Sequence, residues 1–141
     1  MTEIEWDDSL SVGVNLIDEQ HKMLIKRIKD LSDAVNSGMG AVEIGKTLDF
    51  MIDYTDFHFS TEEKHMTTLG YPGYDNHKEQ HENFKLTLKD MITEFKEEGA
   101  TAQLSYWVND YLINWLVKHI KSIDTKLGEF LRETGVAEKL R

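Results

Sequence analysis

The chain has 141 residues and a mass of 16.4 kDa, a length that suits one domain able to bury roughly two-thirds of its unfolded surface. With 40% hydrophobic residues and three Trp, five Tyr and six Phe, its composition excludes disorder. A formal charge of -10 and a pI near 5.0 exclude partners that present phosphate backbones or anionic lipid. Cysteine is absent, so disulfides, thiolate-held clusters and a cysteine nucleophile are excluded, and any metal must be held by nitrogen and oxygen. The N-terminus lacks the basic start and apolar core of a signal peptide and no long apolar run follows, which predicts a soluble cytoplasmic protein.

Residues 1–17 contain glycine and alternate only partly, and they predict an extended arm packed on the rest through Trp6, Leu10, Val12 and Leu16. A first amphipathic helix is predicted over 18–36, where Leu24, Ile25, Ile28, Leu31 and Val35 recur at three- and four-residue steps before Ser37-Gly-Met-Gly40. A second, over 41–69, carries Ile44, Leu48, Met51, Ile52 and Phe59 and stops at Gly70-Tyr-Pro-Gly73. The third, over 76–97, places Phe84, Leu88, Met91, Ile92 and Phe95 on one stripe. The fourth, over 102–131, does the same with Leu104, Val108, Tyr111, Leu112, Trp115, Leu116 and Ile120. Residues 132–141 read as a tail. Long helices with short connections predict an all-α, up-down-up-down four-helix bundle forming one domain.

Five of the six histidines and two acids fall on these helices at metal-ligand spacing. They are His21, the pair His58 and Glu62, the pair His77 and His81, and His119 followed by Asp124. Residues four apart on an α-helix lie one turn apart and only about 40° around, so each such pair aims two ligands in one direction. Depth agrees as well. His21, His77 and His81 stand early in helices one and three, whereas His58, Glu62, His119 and Asp124 stand late in helices two and four, which return to the same end.

Seven ligands exceed one tetrahedral zinc and fall short of two octahedra. With both carboxylates and one oxide or hydroxide shared, eleven of twelve positions fill and one stays open. The five-residue step from His119 to Asp124 turns about 140° in a straight α-helix, so irregular geometry is predicted there. His65 lies near the face of His58 but about 10 Å along the axis and reads as a polar or packing residue. Met23, Met51, Met66 and Met91 read mostly as core fillers, and the acidic excess as a solvated outer face.

These elements, together with Trp6, Val12-Gly13, Asp18-Glu-Gln-His21 and Trp115-Leu-Val-Lys-His119-Ile120, give a chain that resembles the hemerythrins, in particular the single-domain bacterial type, the bacteriohemerythrins. The resemblance covers nearly the whole chain. It implies two non-haem irons with a bridging oxide or hydroxide, one held by His77, His81 and His119 and the other by His21 and His58, with Glu62 and Asp124 bridging. It further implies that dioxygen binds reversibly at the iron with two histidines and is held as hydroperoxide, in a pocket lined by Leu24, Phe59, Trp115, Leu116 and Ile120.

The function so implied is oxygen carriage, storage or local supply by a non-enzyme. The partner is dioxygen, the protein is expected to be a monomer, and a protein partner is left open. Competing readings are sensing of oxygen, nitric oxide or redox state at the same site, a di-iron oxidase or peroxidase, and a structural zinc site. Oxidase sites of ferritin-like proteins are rich in carboxylates, whereas this set is dominated by imidazole. The ligand count argues against zinc.

Overall fold

The computed structural model describes residues 5–135, and among them every regular element is helical. Helices α1 (Asn15–Asn36), α2 (Ala41–Leu69) and α3 (Tyr74–Glu98) are followed by a fourth rod over residues 102–133. That rod comprises α4 (Ala102–Tyr106), α5 (Leu112–His119) and α6 (Thr125–Glu133), joined through π-helical segments at Trp107–Tyr111 and Ile120–Asp124. The backbone stays right-handed at the joins, so the four rods form an up-down-up-down bundle with an N-terminal extension. None of the described helices is long and apolar enough to cross a membrane.

Local chemistry explains where the rods begin and end. Asp18 accepts hydrogen bonds from the Val12 amide at 2.8 Å and the Ser11 hydroxyl at 2.6 Å, which folds the incoming chain onto the helix start. The first helix therefore begins at Asn15, earlier than the predicted 18. At the end of α2, Gly70 takes a left-handed conformation (φ +66°), and the Tyr71 amide reaches back to the Met66 carbonyl at 2.9 Å. The third helix likewise starts early, at Tyr74, and the fourth runs to Glu133, two residues into the predicted tail. Positions 136–141 of that tail, and 1–4 of the arm, lie outside the described residues.

The arm is packed on the bundle, with one correction to its contacts. Leu10 and Val12 are buried as expected, but Trp6 and Leu16 are only half-buried; Val14 and Ile17 supply the other buried contacts because helix formation from Asn15 turns Leu16 aside. The arm is clasped from α6. The Arg132 guanidinium donates to the Val12 carbonyl, and a side chain at Gly128 would collide with that same carbonyl.

The core runs the length of the bundle through Leu24, Ile28, Leu48, Met51, Phe84, Met91 and Leu112. Met51, Met66 and Met91 are fully buried, whereas Met23 is half-buried. Apolar burial at about 25 cal/mol per Å² holds the rods in register, and register brings polar groups from four rods to one depth.

Candidate metal centre

Seven buried side chains meet at one end of the bundle. His21 comes from the second turn of α1, His58 and Glu62 from the later half of α2, and His77 and His81 from the first two turns of α3; His119 closes α5 and Asp124 closes the second π segment. The predicted irregularity is this π segment. The Thr125 amide bonds the Ile120 carbonyl five residues back, and such a widened turn returns Asp124 to the face of His119.

The seven divide into two overlapping sets. Glu62, His77, His81, His119 and Asp124 present ligand atoms within 4.8 Å of one another, as do His21, His58, Glu62 and Asp124. The imidazole rings divide the same way: His21 and His58 lie 4.6 Å apart, and the other three are mutually 4.5 to 5.1 Å apart. Both carboxylates therefore belong to both sets. Asp124 turns Oδ2 to His21 Nε2 at 3.0 Å and Oδ1 to His77 and His119 at 2.8 and 3.1 Å. Glu62 Oε1 lies 3.5 Å from His58 and 3.2 Å from His81.

These spacings are those of donors around a cation. For metal bonds of about 2.1 Å, donors at right angles lie about 3.0 Å apart. All five Nε2 atoms and all four carboxylate oxygens are buried without a hydrogen-bond partner among the described residues. Nine such orphans in one cluster would each cost about 1–3 kcal/mol if left unsatisfied. A pair of metal ions would satisfy them together, and a nitrogen and oxygen donor set suits iron.

The outer nitrogens of three histidines point the same way, whereas Nδ1 of His21 and of His77 is buried without a hydrogen-bond partner among the described residues. His58 Nδ1 lies 2.8 Å from Gln20 Oε1, His81 Nδ1 2.9 Å from Glu63 Oε2, and His119 Nδ1 2.9 Å from Gln80 Oε1. An amide or carboxylate oxygen can only accept, so Nδ1 carries the proton and Nε2 turns its lone pair inward. Sequence reasoning missed these three braces, although a signal was there. Each is the chain neighbour of an inner ligand (Gln20 of His21, Glu63 of Glu62, Gln80 of His81). A neighbour is rotated by about 100°, away from the centre and toward the adjacent helix. Thus α1 braces α2, α2 braces α3, and α3 braces the fourth rod.

Electrostatics follow from the two buried acids. Burial alone would push Glu62 and Asp124 up, but the surrounding histidines hold both far below the usual carboxylate range. Burial pulls His77 down, and Asp124 and Glu62 outweigh it, leaving its pKa raised to about 10; against the same burial His21 is raised chiefly by Asp124, and His81 by Glu62 and Glu63. At His58 burial wins, and its pKa falls to about 4. The site thus demands positive charge at its centre.

Of the residues expected to line a pocket, Leu24, Phe59, Leu116 and Ile120 are buried and Trp115 is half-buried. Phe59 stacks on His81 at 3.8 Å, Trp115 on His119 at 4.5 Å, and Phe84 on Trp115 at 4.1 Å. An apolar and aromatic wall therefore backs the imidazoles. His65 is half-buried and stands outside both ligand sets.

The model of the hemerythrin HHE cation binding domain matches residues 12–131. The chain is 32% identical to the bacteriohemerythrin of Stenotrophomonas maltophilia over 141 aligned positions, covering 94% of this chain and 90% of that protein. It is 36% identical to the myohemerythrin of Sipunculus nudus over 121 positions, covering 86% and 88%. Crystal structures of a wild-type hemerythrin and of a leucine-to-alanine variant each superpose with a TM-score of 0.82 at 29% identity. They cover 91% and 92% of this chain, and 97% of each crystal chain is matched.

Proposed function

The chain belongs to the hemerythrin family, and from that premise we propose that its buried cluster seats two non-haem irons and binds dioxygen reversibly. The observation that carries this reading is the division of nine orphaned donor atoms into a three-histidine set and a two-histidine set that share both carboxylates. His77, His81 and His119 would hold one iron and His21 and His58 the other, with Glu62 and Asp124 available to both. The second iron would have one protein ligand fewer, which is the asymmetry a small ligand needs.

Two irons seated here would supply the pair of electrons and the open position that reversible capture of dioxygen requires, with an oxide or hydroxide as the third bridge. The protein's own part is exclusion and orientation. Leu24, Leu116 and Ile120, with Phe59 and Trp115, keep water from the site and so slow irreversible oxidation. Gln20, Glu63 and Gln80 fix the tautomers of three histidines. The predominance of neutral imidazole over carboxylate favours a carrier or store over an oxidase, because fewer anionic ligands stabilise high-valent iron less.

The test is to load the protein anaerobically with ferrous iron, count iron per chain, admit oxygen and then purge with inert gas. Two irons and an absorption band that comes with oxygen and leaves on purging are expected. Rapid irreversible oxidation would move the reading to an oxidase or sensor, and fewer than two irons would overturn the site assignment.

A further inference from the structure

The three braces differ in charge. Gln20 behind His58 and Gln80 behind His119 are neutral amides, and Glu63 behind His81 is a carboxylate. The Glu63 side chain is 16% exposed, and its sole ion pair among the described residues is with His81 Nδ1, at 2.9 Å. Lys85 bonds Asp56 at 3.2 Å and lies 3.7 Å from Glu82, and Lys85 and Lys78 act on Glu63 only as more distant charges, after its hydrogen bond to His81. The charge of Glu63 is therefore directed chiefly through one imidazole, in surroundings that screen it less than water would.

Resting on the di-iron reading, we infer that Glu63 is a positioning residue that sets the redox balance of the centre. Through its hydrogen bond it gives His81 part of the character of an imidazolate and so favours the ferric state of the iron with three histidines. The charge count fits. Two ferrous ions carry four positive charges, Glu62, Asp124 and a shared hydroxide remove three, and Glu63 removes the last. A carboxylate behind His81 thus makes the reduced cluster neutral as a whole, and it lowers the electrostatic cost of drawing electrons out. Retention of dioxygen and the tendency to oxidise should both depend on it.

The wild-type protein, E63Q and the double variant E63Q/Q80E would be loaded with ferrous iron. Iron per chain, the midpoint potential by spectroelectrochemistry, and the dioxygen dissociation constant would then be measured. Glutamine keeps an acceptor oxygen for His81 and removes only the charge, so E63Q is expected to hold two irons with an unchanged melting temperature. Its dioxygen dissociation constant should rise about tenfold, in the range that outer partners of metal ligands command, and its potential should rise by about 59 mV per tenfold for a one-electron couple. Moving the carboxylate behind His119 in E63Q/Q80E should bring the potential back toward the wild-type value, which a purely structural role for Glu63 would not do. An E63Q protein with two irons and the wild-type potential overturns the inference. A wild-type chain that fails to hold two irons overturns the di-iron reading, and this proposal with it.

Discussion

The fourth rod contains two π-helical segments of equal length, and they serve different ends of the bundle. Ile120–Asp124 closes with an amide bond from Thr125 to Ile120, and Trp107–Tyr111 closes in the same way, from Leu112 to Trp107. Each widened turn delivers one buried polar side chain. Asp124, fully buried, goes to the histidines. Asn109, 8% exposed, goes to a neutral network in which Ser32 donates to its Oδ1 at 2.6 Å while its amide donates to Asn36 at 2.9 Å and Ser105 at 3.0 Å. The lesson is that a π turn changes where one side chain points without interrupting the rod. The chemistry at each end is then set by what the other helices bring to meet it.

The largest effect that separates the two ends is expected from Asp124→Ala. It removes the group whose two oxygens face the two histidine sets, so loading with two irons should fail, with a loss beyond the roughly 10–100-fold typical of outer-shell partners. Iron counting after gel filtration checks this. Two irons retained in this variant would mean that the π turn at residues 120–124 is not a ligand-delivering device.

Next in size is Leu116→Ala, in the short α5 that links the two π segments. Leu116 is buried, and the cavity should lower stability by about 2–5 kcal/mol in urea unfolding. The oxygenated protein should also lose oxygen or autoxidise faster in stopped-flow and overnight spectra. Unchanged rates would make Leu116 a packing residue only.

Asn109→Ala at the far end should cost about 1–3 kcal/mol, because Ser32 and Asn36 lose a buried partner. Iron content should stay at the wild-type value. A drop in iron content would show that the two π segments are mechanically coupled along the rod and would end the view of them as separate devices.

The near end was much the more legible of the two in the sequence. His119 and Asp124 were conspicuous because the other ligands came at four-residue steps and this pair at five, so that a distortion had to exist if the site did. Asn109 offered no such contradiction: its partners Ser32 and Asn36 are ordinary polar residues 77 and 73 positions away, and nothing in their spacing marks a cluster. The braces fell between these cases. Gln20, Glu63 and Gln80 stand beside inner ligands, but their partners lie across a helix interface, and periodicity along one helix does not report such contacts. Arm packing through Val14 and Ile17 was missed because it depends on Asp18 folding the chain back, a tertiary contact.

The smallest and most gradual difference should appear in the pH dependence of the iron-free protein. His77 is raised from 6.5 to about 10 in the folded state, so its contribution to stability is complete below about pH 6.5 and is lost as pH rises through about 10. Glu62 and Asp124 are held below their ordinary values, so their contribution is present above pH 4.5 and is lost as acid drives the pH through their depressed values. Melting temperatures of the iron-free chain should therefore decline from neutral toward pH 10. The loaded protein should not share that decline, because the metal ions then supply the positive charge that protons otherwise provide. The groups that bond Asn109 at the far end are amides and hydroxyls. Asn109→Ala should accordingly shift the whole curve down by a similar amount at every pH, whereas in Glu62→Gln the alkaline decline should itself shrink, since one of the two acids that raise His77 is gone. An alkaline decline unchanged in Glu62→Gln would place the titrating group outside the metal cluster.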